Sequence, residues 1–507
     1  MAKTLAIIAV GVLLQLFAVW FLGASRDGGL FFCCRGVPDD IYHLALTHQL
    51  VTQFPPEEPG MVGTVVKNYH YLSSLAMADF IRVFHLPLTA TVYQYFPLLV
   101  SILLGLTTVV TAQLLQLSNK ITRLWLFFLY FHGDILYLLL FLRGKGLNFD
   151  VTIFDDATKL LAGPPRSFSI LLLFTGLVML LLWIRKRSWL TGVLTAVVLG
   201  SLMGFKVYTG IFALVGLAAL GLYSKRLLVP ALALIVSLAI YLPVNGASGG
   251  LAWNGFYRFD DFVAQPAFGL ANLELARLAG AGYLVIIFAA LYFVFLYGAT
   301  ILAFFQSRKT LSLLPKELVI FLLSAIAITG FVGTFFVQSV GGLNTVQFLI
   351  SLYFVGALFA ALTVSRFPKL AIALVILLTL PRPFYEAWGN IQMIKNGQGF
   401  FVSAGQLEAL NFLKNNTPTT SVVALPPDLA RQEVSLYVRF LADRPLYVAG
   451  YTGVLQDHQV AGAKERLDKP DLGKIDYLYV PKQYSFPSSG QKVFENQDVS
   501  VFQIPKI

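Results

Sequence analysis

Apolar runs near the ~20 residues a spanning helix needs recur along the chain, separated by short polar breaks. The pattern predicts about eleven membrane-spanning helices, roughly over residues 5–23, 92–116, 121–142, 167–184, 189–204, 207–223, 226–243, 279–304, 316–338, 345–364 and 368–380. Residues 189–223 form one nearly unbroken apolar run. As a single helix it would be about 52 Å long, against a hydrocarbon core of about 30 Å. It must fold back, and Gly204 and Lys206 offer the turn.

Two stretches break this rhythm. Residues 24–91 separate the first two spans, yet they are rich in Leu, Tyr and Phe. "DDIYHLALTHQLVTQF" has helical spacing after Pro38, and positions 72, 75, 76, 80, 83 and 84 form a second helical stripe that ends before Pro87. Both are too polar to span, so two amphipathic helices lying along a membrane surface are expected. From about residue 382 the chain alternates short strands, such as "IDYLYVP" and "DVSVFQIP", with helical segments. This predicts a membrane domain over 1–381 and a small α/β domain over 382–507.

Composition sharpens the class. Hydrophobic residues make up 57% and charged residues 12%, against roughly a quarter charged in soluble domains. The chain reads as a polytopic α-helical membrane protein. Its net charge of +11 sits in every second short loop: Lys120 and Arg123, Arg185 to Arg187, Lys225 and Arg226, Arg308 to Lys316, Arg366 and Lys369. That alternation follows the positive-inside rule and needs no nucleic-acid partner. It puts the N-terminus in the cytoplasm, as an uncleaved first span, and the loops 24–91, 143–166 and 244–278 outside a plasma membrane. The C-terminal domain then lies outside as well. Cys33 and Cys34 are neighbours, and neighbouring cysteines seldom pair, so they read as small apolar residues.

Candidate chemistry gathers in the first long loop. Asp39 and Asp40 follow Pro38 at a helix start, where carboxylates complement the helix dipole. His43 is one turn from Asp39, and His43, His48, His70 and His85 are four of the six histidines. Two readings stand: a helix cap, or a carboxylate aimed to take a proton from a hydroxyl. Lys206, at the hairpin turn, is either a snorkelling lysine or a phosphate ligand. Arg166, just before the fourth span, is an interfacial anchor or a second such ligand. Further acid pairs stand at Asp155 and Asp156 and within "NGFYRFDDF" (254–262).

With these residues in place, "GVPDDIYHLALTHQLV" resembles the acidic segment in the first outer loop of the GT-C glycosyltransferases. That family includes protein O-mannosyltransferases, the lipid A aminoarabinose transferase and RgtA/B/C/D-like proteins. The run 189–220 resembles the family's "LAGLLLGLAFLTKY" hairpin, with Lys206 in the lysine's place. "KNYHYLSSLAMADFIRVFHLP" stands where the family has a proline-containing segment, and lacks its prolines. The resemblance covers roughly residues 1–225. It implies an inverting transfer of a sugar from a polyprenyl-phosphate donor to a hydroxyl of a lipid, glycan or protein acceptor. Asp39 would be the base, Asp40 a second catalytic acid, and Lys206 and Arg166 would bind the donor phosphate. His43, His70, Asp155, Asp156 and Gln347 would line the substrate site; Gln347 opens the tenth span, where the family often has a basic residue. No organic cofactor is implied. A divalent metal shared by Asp39 and the 155–156 pair would follow the oligosaccharyltransferase branch. The rival readings are a transporter or lipid flippase, for which His132 and Asp134 are the interior polar residues, and a non-catalytic scaffold.

Overall fold

The computed structural model describes residues 1–507 apart from 35–36, 143, 145, 148, 150–156, 246–249, 254–293, 305, 339–344, 451–456, 485–489 and 506–507. Among the described residues six helices are long and apolar enough to cross a membrane. They are Leu88–Leu114, Pro164–Lys186, Val207–Ser224, Lys316–Phe335, Gln347–Val364 and Lys369–Lys395. Asn119–Phe131 and Leu136–Leu142 add a seventh if their 70° bend is one broken crossing. Ala2–Leu16 (α1), Trp189–Phe205, Leu228–Val244 and Val294–Ala303 are apolar but shorter. Among the described residues, the runs expected over 5–23, 189–204 and 226–243 thus form apolar helices of 15 to 17 residues. The 189–223 run breaks at Lys206, whose backbone is extended (φ −158°, ψ 110°) between helices ending at Phe205 and starting at Val207. The span expected over 279–304 falls mostly outside the described residues.

The basic loops collect at one end of the bundle. Arg187 pairs with Glu317 at 3.0 Å, and Lys120 donates to the Ser365 carbonyl. Helices leaving this end start on serine caps: Ser118 accepts from Ile121 N–H, Ser188 from Thr191 N–H and Ser307 from Thr310 N–H. Gln347–Val364 is buried on nearly every side, as expected of a helix apolar all round.

At the other end the first loop and the C-terminal region interlock. Strands β1 (Ala24–Arg26) and β2 (Gly29–Cys33) form a hairpin. Two short strands later in the chain, β5 (Leu251–Trp253) and β6 (Phe336–Gln338), pair with each other, and β7 (Gly399–Val402) joins β2 antiparallel, Leu30 opposite Val402 and Cys33 opposite Gly399. After β2 comes α2 (Val37–Thr52), then the hairpin β3 (Glu57–Glu58) and β4 (Met61–Val65), then α3 (Leu72–Phe84). The tip of that hairpin docks on the C-terminal region: Ala449 N–H donates to the Gly60 carbonyl at 2.7 Å, and Val62 N–H to the Leu446 carbonyl at 2.9 Å. A side chain at Gly60 would meet the Ala449 carbonyl at 1.9 Å, so only glycine allows this approach. The C-terminal region itself carries a four-stranded sheet in the order β10 (Gln491–Glu495), β11 (Val499–Gln503), β9 (Tyr477–Pro481), β8 (Val423–Ala424). Helices Ala404–Asn416 and Tyr437–Ala442 pack beside it.

Two expectations change here. α2 is not a half-exposed surface helix: Ile41 to Leu46 are all buried, because α3 covers one side and residues 433–442 cover another. Its mixed apolar and polar faces reflect two covers, one of them encoded about 400 residues away. Cys33 and Cys34 are joined as a disulfide. Cys34 leaves β2 with φ +82°, which turns it back beside its neighbour.

Candidate functional site

α2 organises the site. At its start Asp39 is exposed and Asp40 is 2% exposed, so successive acids face solvent and interior. The Asp40 carbonyl accepts from Tyr93 Oη at 2.8 Å, which ties α2 to the helix Leu88–Leu114. Burial holds the Asp40 carboxyl well above the ordinary carboxylate range; Asp39 adds to this and the Arg166 guanidinium opposes it. Arg166 lies in the first turn of Pro164–Lys186, so two helix starts bring the acids and this cation together.

One turn further along α2, His43 Nε2 is hydrogen-bonded to Tyr69 Oη at 3.0 Å. Tyr69 stacks on His70 with ring centroids 4.6 Å apart, and His70 Nε2 lies 3.4 Å from Lys206 Nζ. An ammonium has no lone pair, so His70 must be the acceptor and neutral there. Burial and the Lys206 charge both push His70 well below its usual range, and the same two causes push His43 down to about 3. A cleft of about 40 Å³ opens beside His70, between residues 68–72, Met203 to Val207 and Val244. Beside His43 on α2, Tyr42, whose ring also meets Tyr69 edge-on, donates from Oη to Glu58 at 3.3 Å; burial pushes Glu58 up to about 8.

The structure thus brings Asp39, Asp40 and Arg166 to one end of α2, and His43, His70 and Lys206 to the next turn. His43 is buried behind Tyr69, where it supports that ring. His48 pairs instead with Asp443 at 3.2 Å, and His85 is the exposed C-cap of α3. Gln347 opens its helix with Oε1 buried and without a hydrogen-bond partner among the described residues. Asp155, Asp156, Arg143, Lys145 and the 254–262 segment lie outside the described residues. Among the described residues no three His, Cys, Asp or Glu side chains converge as metal ligands would.

Sequence reading missed Tyr69 and Glu58, which nothing in their spacing marks. It also missed a buried ionic chain. Lys159 Nζ lies 3.3 Å from Glu386, Glu386 pairs with Arg382 one turn away, and Arg382 pairs with Asp134 at 3.6 Å. The Lys159 carbonyl accepts from Arg166 at 3.4 Å, which links this chain to the site. His132, at the break after Phe131, is bonded to Tyr353.

Solved structures share this architecture. The apo oligosaccharyltransferase of Archaeoglobus fulgidus matches 94% of this chain and 69% of its own at 12% identity, with a TM-score of 0.51. The oligosaccharyltransferase AglB of that organism, in complex with an inhibitory peptide and a dolichol-phosphate, matches 94% and 69% at 14% identity and 0.46. ArnT from Cupriavidus metallidurans, bound to undecaprenyl phosphate, matches 98% and 97% at 12% identity and 0.40. No family model matches the chain, and no curated protein does. The chain shares its overall fold with the Archaeoglobus fulgidus oligosaccharyltransferase.

Proposed function

We propose that this protein is an inverting membrane glycosyltransferase that moves a sugar from a polyprenyl-phosphate donor to an acceptor hydroxyl. The observation that carries the reading is Asp40 within electrostatic reach of Arg166 at two helix starts, with Asp39 beside it facing solvent, one turn of α2 from His43 and the His70–Lys206 contact. A bare cap would need neither cation.

In this reading Asp39, the solvent-facing acid, takes the proton from the acceptor hydroxyl. The hydroxyl oxygen attacks the anomeric carbon. The bond from that carbon to the phosphate oxygen breaks, and its electron pair leaves with the phosphate. Arg166 and Lys206 meet the charge that develops there. Asp40, buried and inclined to keep its proton, fixes the helix start instead of reacting. His43 holds Tyr69, and Tyr69 with His70 holds Lys206. Gln347 and the pair Asp155 and Asp156 would complete the substrate site. The acceptor is a lipid, glycan or protein hydroxyl.

Residues 1–381 then form the membrane domain and 382–507 its cover. The basic loops orient the protein in the plasma membrane, with the N-terminus inside and the C-terminal region outside. The reading calls on no organic cofactor. A divalent ion joining Asp39 to the 155–156 pair would show as loss of transfer with chelator and recovery with added metal. The interior charges that favour a transporter are matched with one another, Lys159 and Arg382 against Glu386 and Asp134.

The test is transfer of radiolabelled sugar from a polyprenyl-phosphate donor by reconstituted protein. Asp39→Asn keeps the side chain's size and gives up only a first-turn charge worth about 0.3–1 kcal/mol against the helix dipole. It should fold like the parent and lose transfer by about 10²–10⁴-fold, while Asp40→Asn should lose less. Transfer at the parental rate in Asp39→Asn returns the acids to capping.

A further inference from the structure

A pocket of about 330 Å³ lies between the β2–β7 ribbon and the C-terminal sheet, within the roughly 300–1,000 Å³ range of small-molecule sites. Its charged members are already engaged. Lys482 pairs with Glu495, and Asp498 accepts from Ser403. What remains is neutral: ring faces of Phe400, Phe401 and Tyr484, and the amides of Gln432 and Gln497. Phe400 rests on Tyr437 with centroids 5.3 Å apart, so its ring is fixed. Gln432 donates to Tyr484 Oη at 2.8 Å, which fixes the opposite wall. Gln497 and the outer face of Phe401 are exposed.

Amides both donate and accept, as hydroxyl groups do, and flat rings suit the C–H faces of a pyranose. A phosphate or nucleotide would want an unengaged cation, which these walls do not offer. We infer that this pocket binds a neutral saccharide, the glycan portion of the acceptor, and so holds the acceptor by sugars it already carries. The inference rests on the transferase reading for the ligand's role, and on the pocket's chemistry alone for the ligand's class.

The test is binding of full-length protein in nanodiscs to a panel of neutral and acidic di- and trisaccharides, read by saturation-transfer NMR. At least one neutral saccharide should bind the parent and Asp39→Asn equally. Tyr484→Ala and Gln432→Ala should each weaken it about tenfold. Tyr484→Phe, which keeps the ring, should weaken it less and controls for folding. In transfer assays with the saccharide that binds, these variants should raise KM for the acceptor and leave KM for the donor unchanged. No binding by any neutral saccharide, a preference for acidic ones, or a shift confined to donor KM overturns the inference. Binding that persists when Asp39→Asn still transfers normally sinks the catalytic reading and leaves the pocket standing.

Discussion

Glu58, bonded to Tyr42, and His43, the next residue of α2, respond to pH with opposite signs. Glu58 is pushed up to about 8 in the fold, chiefly by burial, while an unfolded glutamate titrates near ~4.3. Between those values the folded state holds the extra proton, so this group's contribution falls as pH rises through the window. Glu58→Gln should remove that slope. Its thermal midpoint should exceed the parent's at about pH 9 and match it at about pH 4; an unchanged slope would show that Glu58 is solvated. His43 runs the other way. Its folded value of about 3 lies below the ~6.5 of a free imidazole, so its contribution is lost as pH falls below ~6.5. Lys206→Met addresses the site itself. The alkyl stem is largely kept, so the fold should hold. Transfer should drop by about 10²–10³-fold, the usual loss for one preorganised group facing developing charge. Normal kinetics would return Lys206 to an anchoring role.

Among the elements, the helix Lys369–Lys395 carries the sharpest prediction. Arg382 and Glu386 stand one turn apart with side chains 2% and 6% exposed, and they reach Asp134 and Lys159 on other segments. Arg382→Leu removes the guanidinium that faces both Asp134 and Glu386, leaving Glu386 its Lys159 ion pair, and should cost about 3–5 kcal/mol, seen as a lower melting point in detergent. Arg382→Leu with Asp134→Asn, which leaves Glu386 on Lys159, should recover much of that loss; if it does not, the Arg382–Asp134 pair is not the unit. These residues also mark where sequence reading stops. The hairpin at Lys206 was legible, because its run is too long for one crossing. The acids and His43 were legible, because a proline and a helical stripe flank them. The partners were not. Arg382 lies 248 positions beyond Asp134 and Glu386 lies 227 beyond Lys159, and no local period joins them. The burial of α2 was hidden for the same reason, since its cover lies in residues 433–442.

At the scale of the whole molecule, the orientation and the docking of the C-terminal region are both open to measurement. An impermeant thiol reagent applied to intact cells should label a cysteine placed at position 460 and spare one at 186. The reverse pattern would put the acids in the cytoplasm. Gly60→Ala places a methyl against the Ala449 carbonyl and should loosen the hairpin from its seat. Faster proteolysis of residues 53–66 with unchanged helix content would register it.

The pairing of β2 with β7 has a consequence in time. Strand β2 is made early, but its partner at Gly399–Val402 and the cover at 433–442 come about 370–400 residues later. At ~5–20 residues per second, the ribosome takes roughly 20–80 s to supply them. Throughout that interval α2 lacks the cover that residues 433–442 supply, however well the early helices have inserted. A nascent chain is therefore an unfinished site on the membrane, and it becomes whole only as its last hundred residues emerge. Chains stopped after Lys395 should insert, yet be cut by added protease between residues 36 and 91, where the full-length chain resists.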